Sequence, residues 1–160
     1  MASITVKIDG LNQLGKAMRN LGRKASNRIA VKAMRQGGAI VREQARDNAP
    51  VLQQKVPHRK AGTLKKAIRS RTKIKRNGKT ETIIWVKGLS KKQIGKFKDK
   101  SGQSGRANPN DPYYWRFVEF GTSKMAPKPF MRPAFEQSKQ RAAQAIIDTL
   151  RDEIIKEGNR

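Results

Sequence analysis

The chain has 160 residues, with 37 Lys or Arg against 12 Asp or Glu, so its formal net charge is +25 at pH 7. It has no cysteine and one histidine, His58, which excludes disulfides and thiolate zinc sites. A chain of this length predicts one domain with one core, spanning residues 1–160. Because a small protein with this much positive charge repels itself, we expect a polyanion or an acidic protein surface as its partner.

The first fifty residues predict a strand and two helices. Residues 3–9 alternate between apolar and polar side chains, which is the period of a half-buried strand. From Leu11 the apolar residues recur every three or four positions, as on one face of a helix, and a second, longer helix ends before Pro50. The Gly37-Gly38 pair makes this second helix less favourable, since each glycine costs about 1 kcal/mol relative to alanine.

A β-hairpin is the sharpest local signal. Asn77-Gly78 between two strand-like runs predicts a two-residue type I′ turn, in which both residues need positive φ. In that register Thr72 lies opposite Ile83. One face of the first strand then carries a row of cations about 6 to 7 Å apart, close to the phosphate spacing along one DNA strand. The cations of this row are Arg69, Arg71, Lys73 and Lys75, and Arg76 continues the charge into the turn.

This basic face has two interpretations. No Asp or Glu occurs between Asn48 and Thr80, so the charge predicts contact with a nucleic-acid backbone or with an acidic ring of a partner. The same residues would also serve as a solvated strand face, because lysines protect sheet edges from aggregation. The sequence leaves both interpretations open.

Residues 88–112 carry a second basic cluster. They are rich in Gly, Ser, Lys and Asn, which predicts a long, flexible loop in the free protein. Such a loop can bind phosphates without reading bases, or it can order against a neighbouring subunit. Its candidate binding residues are Lys91, Lys92, Lys96, Lys98 and Lys100.

Residues 113–120, YYWRFVEF, are apolar on both sides and predict a strand covered on both faces by helices or by another subunit. A long final helix is expected from Ala134. Together these elements predict an α+β fold. A small antiparallel sheet, formed by the N-terminal strand, the hairpin and the aromatic strand, packs against two N-terminal helices and the C-terminal helix. The candidate subunit interface consists of Tyr113, Trp115, Phe117, Phe120 and Phe130.

No constellation of side chains predicts catalysis, so we expect a non-enzymatic protein without metal, cofactor or small-molecule substrate. Glu119 is the best single candidate for a catalytic acid, but a structural carboxylate held by an arginine or by backbone amides is the favoured interpretation. The longest purely apolar run, residues 83–86, is far shorter than the roughly 20 residues that cross a bilayer, so no membrane contact is expected. The first ten residues also lack the apolar stretch of a cleaved export signal.

Several short motifs together resemble a known family. YYWRFVEFGT at residues 113–122 is followed by APKPFMRPAF at residues 126–135. Upstream, IDGL at residues 8–11 and ARDNAP at residues 45–50 precede GTL at residues 62–64. In this order the motifs resemble the phage neck proteins akin to gene product ten of lambdoid coliphages. The basic insertion at residues 88–112 is a departure from that pattern.

The resemblance implies a ring-forming subunit of the virion neck that acts by assembly. Its implied partners are further copies of itself, other connector, tail-terminator or tail-tube proteins, and the end of the packaged double-stranded DNA. Its implied location is the virion, with the host cytoplasm during assembly. A non-specific nucleic-acid-binding protein is the alternative that the charge alone supports. A DNA-cutting enzyme is the least favoured, because the basic region lacks acids to hold a metal.

Overall fold

The computed structural model describes residues 11–159 of the chain. Over these residues the fold is α+β, as predicted. The expected N-terminal strand at residues 3–9 lies outside the described residues. In chain order the elements are α1 (Leu11–Asn20), α2 (Arg23–Asn48), α3 (Thr63–Ala67), β1 (Ile68–Ile74), β2 (Thr80–Val86), α4 (Lys91–Ser101), a short 3-10 turn (Gly105–Ala107), α5 (Trp115–Phe120) and α6 (Met131–Gly158).

The chain divides into two compact units, the first of which contains residues 11–40, 71–83 and 139–159 of the described part. Here the first half of α2 lies beside the second half of α6. Arg28 pairs with Glu157 at 2.6 Å and Lys32 with Glu153 at 2.7 Å, so the two helices are antiparallel. The single domain that the chain length predicts stays a prediction.

The glycine pair of α2 does not interrupt the helix but lets its neighbours approach. A Cβ atom at Gly37 would lie 2.5 Å from a side-chain carbon of Ile146 and 2.9 Å from the carbonyl oxygen of Ala142. At Gly38 it would lie 2.4 Å from the methyl group of Thr82. The predicted second helix is therefore continuous, because packing against α6 and β2 in the first unit offsets the low helix propensity of glycine.

The hairpin is present, but its turn and register differ from the prediction. The backbone N–H of Lys75 donates to the carbonyl of Lys79 at 2.8 Å, and that of Gly78 donates to the carbonyl of Lys75 at 2.9 Å. Gly78 has a φ of 79°. Asn77 does not have a positive φ, because His58 is the non-glycine residue with positive φ among the described residues. The turn therefore has three residues and a left-handed glycine. This shifts the pairing by one residue and places Thr72 opposite Thr82, with their hydroxyl oxygens 2.8 Å apart.

The second unit contains residues 41–70 and 84–138 and holds the larger hydrophobic core. The end of α2, the short helix α3, one end of the hairpin, α5 and the start of α6 each contribute to it. Phe130, Leu64 and Ile68 are fully buried there. Leu64 and Ile68 come from the neighbouring elements α3 and β1, whereas Phe130 comes from the chain just before α6, so the core joins segments that are distant in sequence.

Residues 88–112 are not one continuous loop, as the sequence predicted, because they contain the helix α4. The Ser90 hydroxyl accepts the N–H of Gln93 at 3.3 Å, and the Gln93 side-chain oxygen accepts the N–H of Ser90 at 2.9 Å, which is a capping box. The helix ends at Gly102, which is left-handed with a φ of 66°. No residue of α4 is buried. The flexibility of this segment in the free protein stays a prediction.

The aromatic segment is a helix, α5, and the predicted strand at residues 113–120 was wrong. Tyr114, Trp115 and Val118 follow helical spacing and pack against the core of the second unit. Phe117 and Phe120 lie on the other side and stay exposed. A short apolar run does not distinguish a strand from a helix, and here the core covers one side of it only.

Candidate binding surfaces

Arg59 fastens the chain before α5 to the loop before α3. Its guanidinium donates to the hydroxyl of Tyr113 and, at 2.8 Å, to the carbonyl of His58. The same group lies 4.9 Å from the ring centre of Tyr113 and 5.2 Å from that of Tyr114, within range of cation–π attraction. Burial raises the pKa of the Tyr114 hydroxyl, although the nearby Arg59 charge opposes the shift. This contact shapes one wall of an apolar groove.

The apolar groove is a depression of about 500 Å³ in the second unit, between residues 50–56 and α5. Several of its apolar side chains are exposed, among them Phe117, which is 50% exposed. The charged residues that line the groove are Arg59, Lys60 and Lys128, and no carboxylate lines it. The other exposed apolar residues along it are Val51, Leu52, Val56 and Met125.

The predicted interface residues fall into three groups. Phe117 lines the groove and Phe120 is 73% exposed on the same helix. Tyr113 and Trp115 are half-buried, Tyr113 against Arg59 and Trp115 against the core. Phe130 is completely buried inside the subunit, so its apolar surface is already covered. Residues 50–56 supply the remaining part of the apolar surface.

A second depression in the same unit is basic. It has a volume of about 260 Å³, and Lys60, Lys66, Arg69 and Lys87 line it together with neutral polar residues. No carboxylate lines it. The four cations make no ion pair within the described part of the chain. Of them, Arg69 belongs to the predicted basic row, whereas the other three come from separate segments that only the fold brings together.

The remaining cations of the predicted row are not equivalent. Lys73 lies 3.3 Å from the carboxylate of Glu81, and Lys75 pairs with the same carboxylate. The hydrogen bond from Lys75 is the largest influence that holds the pKa of Glu81 below its usual 4.5, and Lys73 adds to it. Arg71 makes no ion pair in the described part, and Arg76 lies exposed in the turn. The carboxylate of Glu81 therefore neutralises part of the positive charge at the turn end of the row, whereas Arg69 at the other end has no acidic partner in the described part.

The lysines of the predicted loop are arranged by helix α4. Lys92, Lys96 and Lys100 follow one another at four-residue spacing and share one exposed face. Lys91 and Lys98 are also exposed but lie on a different face of the helix. The helix thus carries three exposed lysines along one side.

Glu119 is a structural carboxylate. Its side chain is buried and accepts hydrogen bonds from the backbone N–H groups of Phe130 at 2.8 Å and Met131 at 3.1 Å. These N–H groups lie at the start of α6, where they lack partners within the helix. Of the two interpretations of Glu119, the structure supports a carboxylate held by backbone amides.

No group of three or more His, Cys, Asp or Glu residues in the described part could hold a metal ion. Among residues 11–159, no helix is long and apolar enough to cross a membrane.

Comparison with known proteins gives the class of this chain, a structural component of a bacteriophage tail. The family model described as "Bacteriophage HK97-gp10, putative tail-component" matches residues 12–121, which is more than half of the chain. The chain therefore belongs to the HK97-gp10-like family of phage tail components. The match includes the aromatic segment and the basic insertion, and it ends before the motif at residues 126–135. Comparisons with curated proteins and with solved structures give no match.

Proposed function

We propose that this tail component is a ring-forming subunit of the phage neck, which joins or completes the tail at the head–tail interface. It acts by assembly and not by turnover of a substrate. The apolar groove with Phe117 on its wall is the observation that carries the proposal. Exposed aromatic and aliphatic side chains that are gathered in one groove favour a surface that another protein covers.

The groove has the composition of a protein interface. Interface cores are enriched in aromatic residues and Met, and the groove combines Tyr114, Phe117 and Met125 with aliphatic walls. We assign a second copy of the chain as its occupant. A groove that accepts a different patch of the next copy forms a head-to-tail contact, and such contacts close into a ring when the rotation allows.

The four exposed or half-buried aromatic residues of the predicted interface belong to this contact. Phe117 and Phe120 would touch the neighbouring copy directly, and Tyr113 and Trp115 would support them. The remaining partners in this proposal are connector, tail-terminator or tail-tube proteins above and below the ring. Assembly takes place in the host cytoplasm before the subunit is incorporated into the virion.

The proposal is tested in phage whose own copy of the gene is disrupted and replaced by a plasmid copy. With Phe117→Ser, we expect filled heads and free tails that fail to join in electron micrographs. Ile155→Ser is the matched control, because Ile155 is equally apolar and exposed but does not line the groove. Normal particle yields with Phe117→Ser, or infectious particles without the chain, would overturn the proposal.

The high charge supports a second candidate function, non-specific binding of nucleic acid by the free chain. The basic depression and the lysine row of α4 favour it. The two functions differ in stoichiometry, because a free binder shifts DNA as a monomer and a neck subunit works as a closed ring.

A further inference from the structure

We propose that the basic depression of the second unit is a binding site for backbone phosphates of double-stranded DNA, and we call it the phosphate pocket. It is lined by Lys60, Lys66, Arg69 and Lys87. The inference does not depend on ring formation, because every lining residue belongs to one copy of the chain.

Uncompensated charge is the first argument. Nearby Lys65 pairs with Asp47 at 3.1 Å and lies outside the pocket lining. By contrast, none of the four pocket cations pairs with a carboxylate of the described part, although all four are exposed at its surface. Cations that no internal acid neutralises attract an external anion, and they release counterions when that anion binds.

Geometry is the second argument. The pocket gathers cations from the turn before α3, from α3 itself, from β1 and from the chain after β2. The carbonyl of Ala67 accepts the N–H of Lys87 at 2.9 Å, which holds the segment after β2 beside α3. The Thr63 hydroxyl donates to the carbonyl of Pro109 at 2.9 Å and fixes the opposite wall. The four cations therefore line one depression of about 260 Å³.

The chemistry of the lining favours a nucleic acid over an acidic protein. Protein interfaces are depleted in Lys and enriched in aromatic residues, and the apolar groove of the same unit contains two aromatic residues, Tyr114 and Phe117. The phosphate pocket has three Lys, one Arg and no aromatic residue in its lining. Interfaces with DNA are more polar and much more positively charged, which matches the pocket.

The number of cations in the pocket favours a polymer over a single phosphate ion. Four cations line it, and they come from four separate segments of the second unit. A duplex offers several backbone phosphates to such a set of cations. The site reads no base, so its binding is expected to be independent of sequence.

The test measures binding of the full-length chain to a labelled DNA duplex as a function of NaCl concentration. The pocket variant is Lys66→Gln with Arg69→Gln. The matched control is Lys16→Gln with Arg19→Gln, which removes the same charge from exposed positions of α1, outside every candidate binding surface. Because the substituted side chains are exposed, both variants should keep the circular dichroism spectrum of the wild type.

The pocket variant should reduce the slope of log affinity against log salt by about 1.8, or about 0.9 for each lost phosphate contact. A fourfold rise in salt would then weaken the wild type about tenfold more than it weakens the pocket variant. The control should change the slope by less than half as much. Lys66→Arg with Arg69→Lys should restore the wild-type slope, because it keeps both charges.

Three results would overturn the proposal. Equal slope changes in the pocket and control variants would mean that only the total charge matters. Binding of polyglutamate, but not DNA, with loss in the pocket variant would identify an acidic protein as the partner. Binding of inorganic phosphate as tightly as the duplex would indicate a site for a free ion. Loss of joining with Phe117→Ser and an unchanged DNA slope would separate this inference from the proposed function.

Discussion

The carboxylate of Glu119 accepts the backbone N–H of Phe130 at 2.8 Å, across eleven residues of sequence. Glu119 lies in α5, and Phe130 immediately precedes α6. Arg132 contributes a third N–H at 3.4 Å, and Pro133 has no N–H to satisfy. A buried negative charge at a helix start is favourable for the helix dipole as well as for these donors. One side chain therefore fixes where the longest helix begins.

Replacing Glu119 tests this role. Glu119→Gln is expected to lower the free energy of unfolding by about 1 to 3 kcal/mol, because it removes a charged acceptor from buried N–H groups. Urea unfolding of the purified chain measures the change. Asp99→Asn, on the exposed surface of α4, is the control and should stay within about 0.5 kcal/mol of the wild type. Equal stability of the two variants would contradict the role of Glu119.

The tight contacts of Gly37 give a second prediction. Gly37→Ala should destabilise the protein by about 1 to 3 kcal/mol, since its methyl group meets Ile146 and the backbone of Ala142. Gly95→Ala in α4 meets nothing within 4 Å and should stabilise its helix by up to about 1 kcal/mol. Thermal unfolding of both variants distinguishes them. A stabilising Gly37→Ala would show that α2 and α6 do not approach this closely.

The Glu81 carboxyl gives a prediction with a definite sign. Its pKa lies below 4.5 in the folded chain because Lys75 and Lys73 stabilise the charged form. The pairing thus contributes stability at pH values above 4.5, and this contribution is lost as the pH falls through the lowered pKa. Carboxyl-carbon NMR titration should show Lys75→Gln raising the pKa of Glu81, whereas Lys16→Gln in α1 leaves it unchanged. An unshifted titration in Lys75→Gln would exclude the ion pair.

The sequence predicted α1, α2 and α6, in which apolar residues recur at helical spacing. It missed the helix α4, because the Gly, Ser and Lys content of residues 88–112 indicates a loop. The sequence predicted the hairpin but not the length of its turn at Asn77-Gly78. Two-residue and three-residue turns differ by one residue, and both accept glycine. The sequence also assigned residues 113–120 to a strand. The spacing of Tyr114, Trp115 and Val118 was the signal for a helix, but Phe117 and Phe120 filled the other face and obscured it.

The binding surfaces were only partly predictable. Phe117 and Phe120 stood out by composition, but the contribution of Val51 and Val56 depends on a loop whose path Arg59 fixes through Tyr113. The phosphate pocket could not be read from the sequence, because its cations come together through the packing of α3 against the ends of the hairpin. Sequence patterns report neighbours along an element, whereas these surfaces are made by long-range contacts.

The native mass of the purified full-length chain, measured by light scattering over a range of concentrations, tests the central claim most directly. A subunit that assembles through its apolar groove should give one discrete multiple of 18.0 kDa. Phe117→Ser should shift that mass toward the monomer, and Ile155→Ser should leave it unchanged. A wild-type monomer of 18.0 kDa at every concentration, with no effect of Phe117→Ser, would contradict the account.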